Sequence, residues 1–191
     1  MNKEKYLKEI NENLAVLSVR IEYDNKIRFT DLNISAESFY KDFLNLIYGY
    51  KLKDINIETI NSPAIDLGDE ASSLAIQVTS DSTSTKIKDT IKKFIENKLY
   101  KKYKTLQFYI ITSKQKKYNT RFDTKGHFIF EPQKDILDNK DLIKNIRERA
   151  LEKIKQIRDF LEKEIGYRSI KQRSSIPNEV MTIIELIELL S

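Results

Sequence analysis

The chain has 191 residues, 40% of them hydrophobic and 33% charged, with four Gly, three Pro and no Cys. This is the balance of a helix-rich globular protein of one ordinary domain with a core of its own, and it excludes the disordered and fibrous classes. The missing cysteine excludes disulfides, zinc-thiolate sites and thiol catalysis, and the modest net charge of +5 sets no partner by itself.

In chain order, Leu7, Ile10, Leu14, Leu17 and Ile21 recur at steps of three and four, which predicts a helix over residues 3–21. In "NISAESFYKDFLNLIYGYKL" Ser35 is a capping residue, Phe39, Phe43, Leu46 and Ile47 share a helical face, and Gly49 marks the stop. "KDINIETI" alternates Ile55 and Ile57 with polar residues, the period of a half-buried strand. "AIDL" and "LAIQVT" are short apolar runs joined by "GDEASS", and they predict a hairpin whose first strand ends in Asp66. "SDSTST" supplies caps for a second helix striped by Ile87, Ile91, Phe94, Ile95 and Leu99. "TLQFYIIT" is apolar almost throughout and reads as an interior strand.

Beyond that strand, "KKYNTRFDTKGHFIFEPQKDILD" predicts a loop with short strands at "HFIF" and "DIL". Asp138 caps one long helix over 139–165, striped by Ile143, Ile146, Ala150, Ile154, Ile157, Leu161 and Ile165 and stopped by Gly166. The expected organisation is a domain over 1–165, a polar linker over 166–178, and a terminal helix over 179–191 that oligomerises or leads into a further domain.

Charge is unevenly spread. Residues 86–117 hold eleven lysines against Asp89 and Glu96, a local balance of +9, so the rest of the chain sums to −4. Lys88, Lys92, Lys93, Lys114, Lys116 and Lys117 are the candidates for tracking nucleic-acid phosphates, although lysines also form the ordinary solvated face of a helix. No apolar run approaches the roughly 20 residues that span a bilayer. "MNKEKYLKEINEN" has charge but no apolar signal segment, so a cytoplasmic protein without a membrane partner is expected.

The order helix, three strands, helix, strand, with an acid near the second strand and a polar residue on the third, resembles the PD-(D/E)XK nuclease superfamily, and within it the Mrr-like restriction endonucleases. "ESFYKDFLNLIYGY" supplies Glu37 and Gly49-Tyr50, "AIDLG" supplies Asp66, and "IQVT" supplies Gln77, with Thr79 where the family has lysine. More narrowly, residues 1–165, with "FLNLIYGY", "AIDLGDE" and "AIQVTSD", resemble the SMEK domain, an N-terminal module of bacterial proteins, some of which look like anti-phage or signalling ATPases. The resemblance implies an α/β fold with a restriction-endonuclease-like central mixed sheet, flanked by helices that include long N-terminal and C-terminal ones. It also implies metal-dependent cleavage of nucleic acid, DNA before RNA, in bacterial anti-phage defence, with a downstream effector or ATPase domain as a partner. The near-heptad stripes of residues 7–21 and 143–165 and the apolar segment "VMTIIELIELL" predict a homodimer through the C-terminal helix.

Phosphodiester hydrolysis at neutral pH calls for a hard divalent ion, Mg2+ or Mn2+, on oxygen ligands. The resemblance gives those ligands to Asp66 and Gln77, with Glu37 as a further catalytic carboxylate. Lys86, in the first turn of the following helix, stands in for the lysine absent at Thr79. Each residue also has a plainer reading. Asp66 suits the turn beside Gly68, Gln77 needs only a structural hydrogen-bond partner, Glu37 complements a helix dipole, and Lys86 is solvated. His127 reads as a strand residue rather than a base, and no Ser-His-Asp spacing exists. The alternative function is a non-catalytic interaction, sensor or oligomerisation module on the same fold.

Overall fold

The computed structural model describes residues 2–27, 31–55 and 64–166. The fold is mixed α/β, a five-stranded sheet flanked by helices, with a long N-terminal helix and a C-terminal one. The elements are α1 (Asn2–Lys26), α2 (Asp31–Tyr48), β1 (Lys53–Asp54), β2 (Leu67–Asp69), β3 (Leu74–Thr79), α3 (Ser84–Glu96), β4 (Thr105–Ile110), α4 (Pro132–Asp135), β5 (Ile136–Asp138), α5 (Asn139–Arg147) and α6 (Leu151–Ile165). Strands lie in the order β1-β2-β3-β4-β5. The first three pair antiparallel, while β3, β4 and β5 run parallel.

Strand alternation divides the core in two. Leu74, Ile76 and Val78 of β3 face one apolar layer with Ile10, Leu14 and Ile21 of α1, Tyr40, Phe43 and Ile47 of α2, and Ile154, Ile157 and Leu161 of α6. Ala75 faces the opposite layer, where Ile87, Ile91 and Phe94 of α3 meet Phe108 and Ile110 of β4. The sheet is therefore buried on both faces, and β4 lies inside it as its apolar run predicts. Gly49 (φ 75) ends α2 through a bond from its N–H to the Asn45 carbonyl, and Asn45 then clasps both backbone groups of Leu52. That clasp turns the chain from helix into sheet.

Several expectations are corrected. Helix α2 begins at Asp31, so Ser35 is inside it rather than capping it, and Glu37 sits in the second turn, away from the strongest dipole field. "HFIF" forms no strand. Its aromatics serve packing instead, with Phe128 edge-on to Phe94, Phe130 edge-on to Phe108 and Phe122, and His127 stacked on Tyr100. The "DIL" strand is β5, and Asp138 caps α5 in a reciprocal box with Asp141, but the helix breaks at 148–150 before α6 begins. The break frees α6 to turn and lie along α1, where Arg158 meets Glu9 and covers the Tyr6 ring. Ile57, residues 167–178 of the expected linker and the expected terminal helix lie outside the described residues. Among the described residues, no helix is long and apolar enough to cross a membrane.

Candidate functional site

The hairpin register brings Asp66 and Gln77 together. Leu67 pairs with Ile76, so the preceding Asp66 falls opposite Gln77. The ladder extends one step past the strand: Asp66 N–H donates to the Ile76 carbonyl at 3.1 Å, and Ile55 N–H donates to the Asp66 carbonyl at 2.9 Å. Gln77 Nε2 donates to Asp66 Oδ2 at 2.6 Å and to the Val78 carbonyl at 3.1 Å, and Val78 N–H donates to the same Oδ2 at 2.8 Å. Both side chains are buried, at 9% and 8% exposure.

The expected strand end at Asp66 is three residues too early, and Asp66 immediately precedes β2. The chain continues through Leu67–Asp69, and Asp69 makes the turn, taking Ala71 and Ser72 N–H on Oδ1 and Lys51 N–H on Oδ2. Hydrogen bonds from Ser72 and from the Lys51 amide hold the Asp69 carboxyl below its usual range. The turn chemistry considered for Asp66 thus belongs to Asp69. Gly68 lies between them because Tyr103 crosses that face: a Cβ there would stand 2.5 Å from Tyr103 Oη.

Thr79 has a local task of its own. Its Oγ1 accepts from Asp81 N–H at 3.1 Å, Asp81 Oδ1 accepts from Thr83 N–H at 2.8 Å, and Thr83 Oγ1 accepts from Lys86 N–H at 3.2 Å as the cap of α3. Three successive side-chain-to-backbone bonds carry the chain from β3 into the helix and fix where Lys86 starts.

Electrostatics tie four charged residues into one site. Asp66 is pushed up to about 7, chiefly by burial and then by the Glu37 charge, with Asp54 adding to the rise; the Val78 amide and the Lys86 ammonium act against it. Glu37 is also raised, by burial and by Asp54, and lowered in part by Lys86. Lys86 therefore acts on both carboxylates from the first turn of α3. Asp54, the last residue of β1, is not among the residues that the sequence motifs point to; its polar place in the alternating "KDIN" run is the signal that marks it. Among the described residues, no group of three or more His, Cys, Asp and Glu side chains could hold a metal ion. Asp66 and Gln77 still offer hard oxygen donors. Both donors that reach Asp66 converge on Oδ2, which leaves Oδ1 for a cation, and Gln77 spends its Nε2, which leaves Oε1.

The lysines separate into groups. Lys88, Lys92 and Lys93 are exposed on α3, with Lys92 only 3.9 Å from Glu96. Lys114 is committed within the protein: its Nζ lies 2.6 Å from Asp141 Oδ2 and 2.8 Å from the Ile136 carbonyl. Burial is the largest influence on Asp141 and would raise it, but the Lys114 hydrogen bond, the Asp138 amide and the charges of Lys114 and Lys144 together outweigh it and keep the carboxyl low. Lys116 and Lys117 are exposed. His127 stacks on Tyr100 at 4.1 Å between ring centroids, so its ring serves packing on the α3 side of the sheet.

Among known protein families, the model described as SMEK domain matches residues 9–147. No curated protein and no solved structure matches the chain.

Proposed function

The chain belongs to the SMEK domain family, and from that premise we propose that it is a metal-dependent nuclease with a PD-(D/E)XK type core, acting in a bacterial anti-phage defence system. One observation carries the reading: a buried carboxylate, Asp66, is paired with the Gln77 amide, raised to about 7, and placed within the field of both a second carboxylate, Glu37, and an ammonium, Lys86. Burying a carboxylate costs free energy even when it is hydrogen-bonded, and acids raised this way by burial and a second carboxylate concentrate at functional sites. Mg2+ or Mn2+ fits the donor set, because Mg2+ takes one or two protein oxygens and leaves its other positions to water and substrate phosphate. Asp66 Oδ1 and Gln77 Oε1 would hold the ion. The chemistry it supplies when bound is charge neutralisation on the phosphate and acidification of a water.

The residues of the chain do the rest. Lys86 orients the attacking water and offsets the charge that grows on the phosphoryl oxygens as the water O–P bond forms and the bond to the leaving oxygen breaks. Glu37, raised by its surroundings, is suited to take the proton that the water gives up. A homodimer would place two such sites on two strands, DNA being the preferred substrate, and the expected downstream effector or ATPase domain would control access. Incubating the protein with plasmid and Mg2+, beside Asp66→Asn and an EDTA control, tests the reading: nicking or linearisation lost in both controls is expected, and cleavage retained by Asp66→Asn would sink it.

A second reading is favoured by the two hydrogen bonds that already fill Asp66 Oδ2. On it the pair is a structural lock in a non-catalytic interaction or sensor module. That version requires no cleavage with any divalent ion and no effect of Mg2+ on thermal stability.

A further inference from the structure

A cleft of about 310 Å³ opens between the segment that follows β4 and helix α5, lined among others by Lys114, Lys116, Lys117, Tyr118, Gln133 and Lys144. Its walls are fixed. Lys114 N–H donates to Asp138 Oδ2 at 3.2 Å, and its ammonium is held by Asp141 and by the Ile136 carbonyl. At the far end of the segment, Tyr118 Oη accepts from Gln115 N–H at 3.3 Å and donates to the Ser82 carbonyl at 3.1 Å. Lys116 and Lys117 are thus exposed on a short span pinned at both ends. Lys144 is 78% exposed and meets Asp141 only at 3.5 Å, a carboxylate that Lys114 already occupies more closely. Four lysines against Asp141 leave the cleft three positive charges in excess.

The cleft is tied by one hydrogen bond to the turn that leads toward the Asp66 cluster. Ser82, which Tyr118 grips, belongs to the turn that delivers Lys86, and the cleft stands where β4 and β5 finish. Adjacent strands are about 4.8 Å apart, so β5 lies roughly 10 Å across the sheet from Gln77 on β3 and roughly 14 Å from Asp66 on the β2 side. That is the reach of two or three nucleotides along an extended strand.

We propose that this cleft binds the phosphodiester backbone of a nucleic-acid strand beside the Asp66–Gln77 pair, with Lys116, Lys117 and Lys144 as its phosphate contacts and Lys114 as the residue that shapes it. The assignment deepens the nuclease reading and takes its substrate class from it. It also ranks the lysines: those of the pinned segment and α5 converge on one concave surface, whereas Lys88, Lys92 and Lys93 lie along a helix outside it.

The test is fluorescence anisotropy of a labelled 20-mer DNA strand in EDTA, which separates binding from cleavage. The triple variant K116Q/K117Q/K144Q should bind at least tenfold more weakly, and its salt slope should be lower by about two, since each phosphate neutralised on a single strand contributes about 0.7. K88Q/K92Q/K93Q should change affinity less than twofold. Circular dichroism checks that both remain folded. Equal reductions in the two triples, no measurable binding by the parent chain, or displacement by polyglutamate as effective as by unlabelled DNA would each overturn the cleft. Binding with the expected pattern but no cleavage under Mg2+ or Mn2+ would instead retire the nuclease reading and leave the cleft standing.

Discussion

Gln77 Nε2 donates to Asp66 Oδ2 at 2.6 Å between two chain segments that the hairpin register sets directly opposite, and burial and nearby Glu37 push the same Asp66 carboxyl up to about 7. The carboxyl is raised from 3.8, so the folded state binds its proton more tightly than the unfolded chain across that interval. Stability is then full below the unfolded value and declines as pH rises toward 7, by as much as about 4 kcal/mol. Glu37 shifts in the same direction and adds to the trend. Thermal melts of the wild type should fall from pH 5 to pH 8, while Asp66→Asn should be flatter and the more stable of the two at pH 8. Parallel curves for the two proteins would contradict the burial and charge environment assigned to Asp66.

Lys86 lowers both Asp66 and Glu37, so its removal should act on chemistry more than on folding. It is half-buried and lies in the first helical turn, where its backbone, not its side chain, takes the Thr83 cap. Lys86→Ala should cost under about 1 kcal/mol in urea unfolding and lower cleavage about a hundredfold. It should also steepen the loss of stability between pH 5 and 8, because Asp66 loses an opposing charge. Unchanged cleavage would remove Lys86 from the mechanism, whatever the melts show.

Gly68 and Gly126 make a matched pair for the geometry of the hairpin. A methyl at Gly68 would meet Tyr103 Oη at 2.5 Å and Ile55 Cδ1 at 2.7 Å, inside the sheet that carries Asp66. Gly126 has φ +74 with nothing near, so alanine there meets only backbone strain. Gly68→Ala should destabilise by about 1–3 kcal/mol through overpacking, and Gly126→Ala by about 1 kcal/mol. Denaturant midpoints settle the order, and a neutral Gly68→Ala would mean that Tyr103 is not held across β2.

Much of this architecture is legible in the sequence because period and turn chemistry are local. The stripe of α1, the capped start of α5, the Gly49 stop and the opposition of Asp66 to Gln77 each follow from spacings within a few residues. What escapes depends on distant partners. Alternating aromatics at "HFIF" mimic a strand, yet Phe128 and Phe130 are used by Phe94 and Phe108 without any ladder bonds. The break at 148–150 is invisible because the apolar stripe keeps its phase across it, and only the packing of α6 on α1 requires the turn. Asp54 belongs with Glu37 and Asp66 only once β1 pairs with β2, a fact of sheet order rather than of motif. The sequence suggests Lys86 in place of a lysine at Thr79 by nearness along the chain, and the capping relay through Asp81 and Thr83 gives that nearness its physical means.

Self-association is the last expectation. Val19 and Tyr23 of α1 and Ile27 just past its end are 64%, 63% and 50% exposed, and their spacing of four lines them up along one ridge, away from the face that Ile10, Leu14 and Ile21 bury. The segment "VMTIIELIELL" near the end of the chain has apolar residues at eight of its eleven positions, more than one face of a helix uses up. The exposed ridge, together with the apolar composition of that segment, leads us to expect a homodimer, since apolar area gains by leaving water. Light scattering should return twice the monomer mass of 22.5 kDa, and deletion of residues 178–191 should return the monomer. Val19→Lys with Tyr23→Lys should weaken the dimer if the ridge contributes, and leave it intact if the terminal segment pairs only with itself. A monomer at tens of micromolar in the full chain would reject the dimer, and with it the expectation that two sites cut two strands together.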